Sequence, residues 1–181
     1  MSAPVVCCVA GMPGSGKSSL GRLLAARLPA ALVDQDTATN PLMAQIARLA
    51  GAGDDLDHPE LRGPVRRARY DCLIDVALDN VGIGASVVLV APFTSEVGAP
   101  DAWAELEGRF GVVPLRLVWV AVPAAVARDR RRRRNLPRDA AWAKASRTEA
   151  DAPLPVVPHL LADGTADPTT EADRLAALLL A

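Results

Sequence analysis

Short apolar runs alternate along the chain with longer segments whose apolar residues recur every three or four positions. The short runs, each bounded by turn or capping residues, predict strands at Val5–Ala10, Ala31–Asp34, Ser86–Ala91, Leu115–Val122 and His159–Ala162. The longer segments predict helices at Ser18–Leu28, Pro41–Ala50, Pro64–Asn80, Asp101–Phe110, Pro123–Arg133, Asp139–Ala150 and Thr170–Leu180. This alternation predicts an α/β fold, a three-layer sandwich in which helices cover both faces of a five-stranded parallel sheet.

Three stretches interrupt this alternation, and we predict that they form loops. They are Gly51–Gly63, Arg130–Arg138 and the proline-rich stretch Asp151–Pro158. No internal repeat or linker marks a second domain, and a hydrophobic content of 50% is ordinary for a globular protein. We therefore expect residues 1–181 to form a single domain.

Charge and cysteine content narrow the class of protein. The chain has 20 basic and 21 acidic residues, a net charge of −1 and a pI of about 6.1. This balance argues against nucleic acid or a membrane surface as a partner. The cysteines Cys7, Cys8 and Cys72 lack metal-binding spacing, and no basic leader precedes a long apolar run. We expect reduced core thiols in a cytoplasmic protein.

Residues Gly11–Ser18 have the sequence G-M-P-G-S-G-K-S, which matches the phosphate-loop (P-loop) pattern G-x-x-x-x-G-K-[ST] at every fixed position. A predicted strand precedes the motif and a predicted helix follows it, as phosphate binding at a helix N-terminus requires. Glycines let successive amides converge on a phosphate, the lysine adds a mobile positive charge, and the serine hydroxyl can bind Mg²⁺. The motif predicts an ATP site formed by Gly11, Gly14, Ser15, Gly16, Lys17, Ser18 and Ser19.

Two carboxylates, Asp34 and Asp36, end the second predicted strand. Open α/β sheets bind their ligands outside the carboxyl ends of the strands, so both side chains are candidates for the site. Neighbouring acids push each other's pKa values apart, which suits a division of roles between them. The alternative is that they only cap the strand end and the following helix.

Arginines are concentrated in two places. The first group lies at the end of a predicted helix and across the predicted loop after it, at Arg128, Arg130–Arg134 and Arg138. Arginines on a closing lid stabilise the charge of a transferring phosphoryl group, so we expect one or two of Arg130, Arg134 and Arg138 to contact phosphate. The second group forms a stripe, at Arg62, Arg66 and Arg69, that faces either an acceptor pocket or solvent.

Two sections of the chain resemble known enzymes. The section G-M-P-G-S-G-K-S-S-L-G-R-L-L-A-A-R-L, followed by L-V-D-Q-D, is similar to the start of shikimate kinase. The section L-V-W-V-A-V-P-A-A-V-A-R-D-R-R-R-R-R-N-L-P-R-D resembles the strand, helix and arginine-bearing lid of the same enzymes. Over nearly its whole length the chain resembles P-loop kinases of the nucleoside-monophosphate-kinase type, which include gluconate kinase and chloramphenicol phosphotransferase.

The resemblance implies a lid at about residues 130–138 and a substrate-covering region at about residues 40–80. It implies that Asp34 lies near Mg²⁺ and that Asp36 orients or deprotonates the acceptor hydroxyl. It further implies that Arg128 flanks the adenine base, and that Arg66 and Arg69 face the acceptor. In that case the acceptor would carry an anionic or polyhydroxy group.

The chain also departs from the pattern of these kinases. The predicted strand before Phe93 ends without the aspartate of a Walker B motif. Ser18 and Asp34 are therefore the expected metal ligands, and Glu96 is the reserve candidate. The Gly-Gly pair that follows this strand in shikimate kinase is absent as well, which argues against shikimate as the acceptor.

These features predict an ATP- and Mg²⁺-dependent kinase that phosphorylates a hydroxyl of a small metabolite, natural product or antibiotic. One alternative is a nucleotide or polynucleotide kinase, which the arginine run favours but the scarcity of aromatic residues and the overall charge do not. A second alternative is an ATP-binding switch. The position of Asp36 argues against this alternative. The arginine-rich, lysine-poor composition suggests a bacterial source.

We assign no chemical role to the tryptophans or the histidines. Trp103, Trp119 and Trp142 are expected to pack in the interior. His58 and His159 lie apart from any serine, aspartate or metal-ligand constellation, so neither is assigned a catalytic role.

Overall fold

The computed structural model describes residues 3–53, 55–56, 58–134 and 152–180, without the side chains of residues 60, 62 and 64. Its strands are β1 (Val6–Gly11), β2 (Ala31–Asp34), β3 (Val87–Val90), β4 (Leu115–Ala121) and β5 (Leu160–Asp163). Its helices are α1 (Lys17–Arg27), α2 (Gln35–Leu49), α3 (Pro59–Gly82), α4 (Pro100–Phe110), α5 (Ala124–Arg134) and α6 (Pro168–Leu180). The five strands form one parallel sheet in the order β2-β3-β1-β4-β5, which confirms the predicted fold class.

Two hydrophobic clusters lie on opposite faces of the sheet, because successive residues of a strand point to opposite sides. Val6 of β1 belongs to the cluster that α3 and α4 cover, which includes Leu73. Cys7 belongs to the opposite cluster, which Leu24 of α1 and Leu175 of α6 complete. With both faces covered, the carboxyl edge of the sheet is the part left open for a ligand.

Most of the predicted core residues are buried. Trp103 and Trp119 pack in the cluster beneath α3 and α4, as predicted. Cys7 and Cys8 are fully buried, and burial raises the pKa of the Cys7 thiol to about 12. The expectation that Cys72 lies in the core is wrong, because α3 turns that position toward solvent.

Helix α2 begins at Gln35, well before the predicted start at Pro41. The Asp34 carboxylate caps this helix, since its Oδ1 accepts hydrogen bonds from the amides of Asp36, at 2.9 Å, and Thr37, at 3.4 Å. A strong cap at the strand end starts the helix without an intervening loop, and Pro41 is accommodated inside it. The earlier helix start places Asp36 in the first turn of α2.

Two further elements differ from their predicted bounds. Helix α3 begins at Pro59 and not at Pro64, so the predicted loop Gly51–Gly63 ends earlier, at a residue type that suits the first helical turn. Helix α5 continues through Arg134, so the first half of the predicted loop Arg130–Arg138 is helical. The predicted helix Asp139–Ala150, together with Arg138 and Trp142, lies outside the described residues.

The last helix, α6, begins at Pro168, two residues before the predicted start. Its cap is Asp167, whose Oδ1 accepts hydrogen bonds from the amides of Thr169 and Thr170. Among the helices of the described residues, none is both long enough and apolar enough to cross a membrane.

Candidate active site

The P-loop connects β1 to α1 at the carboxyl edge of the sheet. Gly14 has a φ of 87° and Gly16 a φ of 101°, a region of backbone conformation that favours glycine. Within the loop, the amide of Ser15 donates to the carbonyl of Met12 at 3.0 Å. Gly16 then caps α1, so the first amides of that helix point toward the mouth of the loop, where an anion can bind.

Helix α5 packs directly on the P-loop and fixes its position. Arg131 donates from Nη1 to the carbonyl of Pro13 at 2.7 Å, and Arg130 donates from Nη1 to the carbonyl of Ser15 at 3.1 Å. A Cβ added to Gly14 would lie 2.5 Å from the carbonyl oxygen of Ala127, so the helix and loop touch without room for a side chain. Arg130, which we predicted at the phosphates, therefore supports the P-loop backbone in this structure.

The loop after β5 supports the P-loop from another side. Gly164 donates from its amide to the carbonyl of Ala121 at 2.7 Å, and a Cβ on this glycine would lie 2.7 Å from the carbonyl oxygen of Ser15. The preceding residue, Asp163, donates from its amide to Glu171 Oε1 at 2.8 Å. Hydrogen bonds from Arg174 lower the pKa of the Glu171 carboxyl, so this acid stays ionised and holds the loop in place.

One cavity of about 440 Å³ opens at the carboxyl edge of the sheet. It brings together seven residues that the sequence singled out, namely Lys17, Ser18, Asp34, Asp36, Arg66, Arg69 and Arg134. Arg128, Arg130 and Glu96 are not among the described residues that line it. Ser19, which we assigned to the nucleotide, is exposed on the first turn of α1.

Asp34 and Ser18 supply the oxygen ligands of the cavity that would suit Mg²⁺. Asp34 is 8% exposed, and its Oδ1 already caps α2. In nucleotide sites Mg²⁺ is usually held by one or two protein oxygens together with phosphate oxygens and water, so this donor set fits the ion. Within the described part of the chain, no cluster of three or more acidic, histidine or cysteine side chains offers a larger metal site.

Arg69 on α3 binds the Asp36 carboxylate and the neighbouring turn of α2. Its Nη2 lies 3.3 Å from Asp36 Oδ1 and 2.8 Å from Asn40 Oδ1, and its Nε donates to Thr39 Oγ1 at 2.8 Å. The Arg69 side chain is only 16% exposed. Arg69 was predicted to face the acceptor, and here its guanidinium orients Asp36. The contributions of Thr39 and Asn40 were missed, because the sequence prediction placed them before the helix.

Tyr70 and the segment after β3 form the far wall of the cavity. The amide of Phe93 donates to Tyr70 Oη at 2.9 Å, and Phe93 has a φ of 47°, a strained value for a residue with a side chain. Burial, followed by the negative charge of Glu96, raises the pKa of Tyr70 to about 12. The Tyr70 hydroxyl therefore remains protonated and neutral under physiological conditions, and it holds the strained segment in place.

Arg66 lies over Tyr70 at the rim of this wall. Its Cζ lies 5.2 Å from the centre of the Tyr70 ring, and its Nη2 donates to Ser95 Oγ at 3.1 Å and to Thr94 Oγ1 at 3.4 Å. Glu96 follows in the same segment, and its Oε2 is buried with no hydrogen-bond partner among the described residues. Because Glu96 does not line the cavity, the structure gives no support to its reserve role as a metal ligand.

Comparison with known proteins identifies the family of the chain. The AAA_33 family model, described as an AAA domain, matches residues 6–152. No curated protein sequence matches the chain.

Several solved structures with the same fold are kinases. A gluconokinase from Sinorhizobium meliloti 1021 shares 18% identity at a TM-score of 0.61, covering 99% of this chain and 95% of that one. The Mycobacterium tuberculosis APS kinase, solved with AMPPNP and APS, shares 18% identity at a TM-score of 0.61, and the match covers 100% of both chains. Shikimate kinase from Aquifex aeolicus shares 14% identity at a TM-score of 0.56, covering 97% of this chain and 96% of that one. The chain belongs to the AAA_33 family and has the fold of the P-loop small-molecule kinases.

Proposed function

We propose that this protein is an ATP- and Mg²⁺-dependent kinase that transfers the γ-phosphoryl group to a hydroxyl of a small molecule. The observation that carries the proposal is that the P-loop residue Lys17 and the carboxylate of Asp36 line the same cavity. A phosphate-binding group and a group able to orient an alcohol are the two parts that phosphoryl transfer needs within reach of each other. Kinases with the same fold, including the APS kinase solved with AMPPNP, support the assignment.

The residues that line the cavity would have separate roles in binding ATP and in activating the acceptor. The P-loop amides and Lys17 would bind the β- and γ-phosphates, with Ser18 and Asp34 holding Mg²⁺, which neutralises phosphate charge when bound. The Asp36 carboxylate would orient the acceptor hydroxyl and take its proton. As the bond from the acceptor oxygen to the γ-phosphorus forms, the bond to the β,γ-bridging oxygen breaks and ADP leaves.

The arginines would act at different points of this reaction. Arg69 keeps the Asp36 carboxylate in one orientation, which lowers the entropy lost on reaching the transition state. Arg134 lines the cavity at the end of α5, and we propose that it contacts the transferring phosphoryl group when the lid closes. Arg138 is proposed for the same task, and Arg128 for the adenine base. We further propose that the protein acts in the bacterial cytoplasm, on the basis of its composition and buried thiols.

The test is ATP consumption by the purified protein with Mg²⁺ against a panel of sugars, hydroxy acids, nucleosides and hydroxylated antibiotics. A true acceptor should stimulate ADP formation and gain one phosphate by mass. The variant Lys17→Ala should abolish the stimulated turnover, because it removes the mobile positive charge at the β- and γ-phosphates.

The outcome separates this proposal from a nucleotide-driven switch. A switch would hydrolyse ATP at a rate that no compound in the panel changes and that Asp36→Asn leaves intact. Phosphorylation of an oligonucleotide, but of no small molecule, would instead favour a polynucleotide kinase. Either result would contradict the proposed function.

A further inference from the structure

Among the residues that the structure describes, apolar side chains line one section of the cavity. They project from α2, from α3 and from the segment between these helices, at Met43, Leu56, Leu61, Val65 and Tyr70. Met43 is 3% exposed and Leu61 is 6% exposed, so the wall is backed by packed residues and keeps its shape. Pro92, in the segment after β3, adds a further apolar side chain to the lining.

Among the described residues, the two arginines of α3 that line the cavity, Arg66 and Arg69, differ in their partners. The Arg69 guanidinium already forms hydrogen bonds with Asp36, Thr39 and Asn40. Within the described part of the chain, Arg66 donates only to hydroxyl groups and lies over the Tyr70 ring, so its guanidinium has no carboxylate as an ion-pair partner there. An anionic group on the ligand would supply the missing charge and would form a charge-assisted hydrogen bond.

We infer that the acceptor is an alcohol carried on an apolar, ring-sized body with a single anionic group, and not a polyhydroxy acid; this inference rests on the proposed kinase function. The hydroxyl would meet Asp36, the anionic group would meet Arg66, and the body would pack on the side chains of Val65 and Tyr70. A polyhydroxy acid would bury several hydroxyls against apolar side chains. Each buried hydroxyl without a partner costs about 1–3 kcal/mol, which an apolar body avoids.

The chain contains one tyrosine, and it forms part of this wall. Protein that carries fluorotyrosine in place of tyrosine should therefore give one fluorine NMR signal, which reports ligands at the acceptor wall. With the nucleotide site filled by AMPPNP and Mg²⁺, we would titrate three matched panels of probes. These are hydroxymethyl-substituted aromatic carboxylates, the corresponding neutral methyl esters, and sugar acids such as gluconate.

We expect the aromatic carboxylates to shift the signal at lower concentration than the esters, and the sugar acids to leave it unchanged. Arg66→Gln should weaken binding of the carboxylates by about tenfold, the effect of one lost charge-assisted hydrogen bond, and should leave binding of the esters unchanged. The matched control is Arg67→Gln, because Arg67 is adjacent and its side chain is 86% exposed. Val65→Thr replaces a methyl group by a hydroxyl at similar volume and should weaken both aromatic panels.

Three results would overturn the inference. The first is that sugar acids bind at least as tightly as the aromatic carboxylates. The second is that no panel shifts the fluorine signal. The third is that Arg66→Gln and Arg67→Gln bind the aromatic carboxylates with equal affinity. Mass analysis with ATP in place of AMPPNP separates this inference from the kinase proposal. Bound aromatic carboxylates that never gain phosphate would contradict the kinase, whereas phosphorylated sugar acids would support the kinase and refute the acceptor class.

Discussion

Replacing Gly14 by alanine tests how closely α5 is fitted to the P-loop. The new Cβ would lie 2.5 Å from the carbonyl oxygen of Ala127 and 3.2 Å from Cγ of Arg131. The first contact is with helix backbone, which cannot rotate away, so the loop or α5 must move. Overpacking of this kind costs about 1–3 kcal/mol, and an alanine at the Gly14 φ of 87° adds about 1–2 kcal/mol.

We therefore expect Gly14→Ala to lower the free energy of unfolding by about 2–5 kcal/mol. Any strain relieved by moving the loop would appear instead as weaker nucleotide binding, because the P-loop amides would no longer converge on one phosphate. We would measure urea unfolding by tryptophan fluorescence. We would measure nucleotide binding by titration with a fluorescent ADP analogue. Nucleotide affinity should fall by about five- to seventyfold if half of the strain, about 1–2.5 kcal/mol, is released in this way.

The matched control is Gly108→Ala in α4. A Cβ at Gly108 meets nothing within 4 Å, and this glycine lies inside a helix. Alanine there should stabilise the protein by about 0.5–1 kcal/mol, opposite in sign to the effect at Gly14. A Gly14→Ala protein that unfolds and binds nucleotide like the wild type would refute the close contact between α5 and the P-loop.

Three other predictions concern residues that position the site. Arg69→Ala should lower kcat by about a hundredfold, with ATP affinity kept, because Asp36 loses its orienting partner; an unchanged kcat in steady-state kinetics would assign Arg69 to stability alone. Arg131→Ala should weaken ADP binding by about tenfold in the same fluorescence titration, since the Pro13 carbonyl loses its donor, and Arg132→Ala should not. Glu171→Gln should lower the free energy of unfolding by about 1–2 kcal/mol at neutral pH, and urea titrations should show the difference vanish in acid.

The sign of the Glu171 effect follows from its pKa, which hydrogen bonds from Arg174 hold below the ordinary value of 4.5. A carboxyl with a lowered pKa in the folded state stabilises that state above the unfolded-state pKa. The stabilisation is lost as the pH falls through the folded-state pKa. A difference between wild type and Glu171→Gln that persists unchanged at low pH would contradict this reasoning.

The sheet and the P-loop could be predicted because their signals are local. Apolar runs between turn residues predicted the ends of the five described strands to within one residue, and the P-loop pattern placed the turn between β1 and α1. The predicted start of α2 at Pro41 is wrong because the Asp34 side chain caps the helix earlier in the chain, and proline fits inside it. The Asp34 carboxylate caps α2 and also lines the cavity, and a pattern of residue types does not show that one side chain takes both positions.

Residues that act through contacts between distant elements were harder to predict. The hydrogen bond from Arg130 to Ser15 joins positions 115 residues apart, and no local pattern separates it from a contact with phosphate. The contact of Gly164 with the P-loop depends in the same way on how β5 packs beside β4. The apolar side chains of the proposed acceptor site could not be predicted, because Met43, Leu61 and Val65 have the spacing of ordinary core residues and only the cavity distinguishes them.

The proposed kinase function requires Asp36 to act on an acceptor hydroxyl in the same cavity that would hold ATP. The most direct measurement is phosphoryl transfer to the identified acceptor under single-turnover conditions, followed by mass spectrometry, in Asp36→Asn and in Asp79→Asn, a matched change at an exposed acid of α3. We expect Asp36→Asn to bind ATP as the wild type does and to lose transfer by about a hundredfold or more, with Asp79→Asn unaffected. Transfer by Asp36→Asn at the wild-type rate would contradict the account.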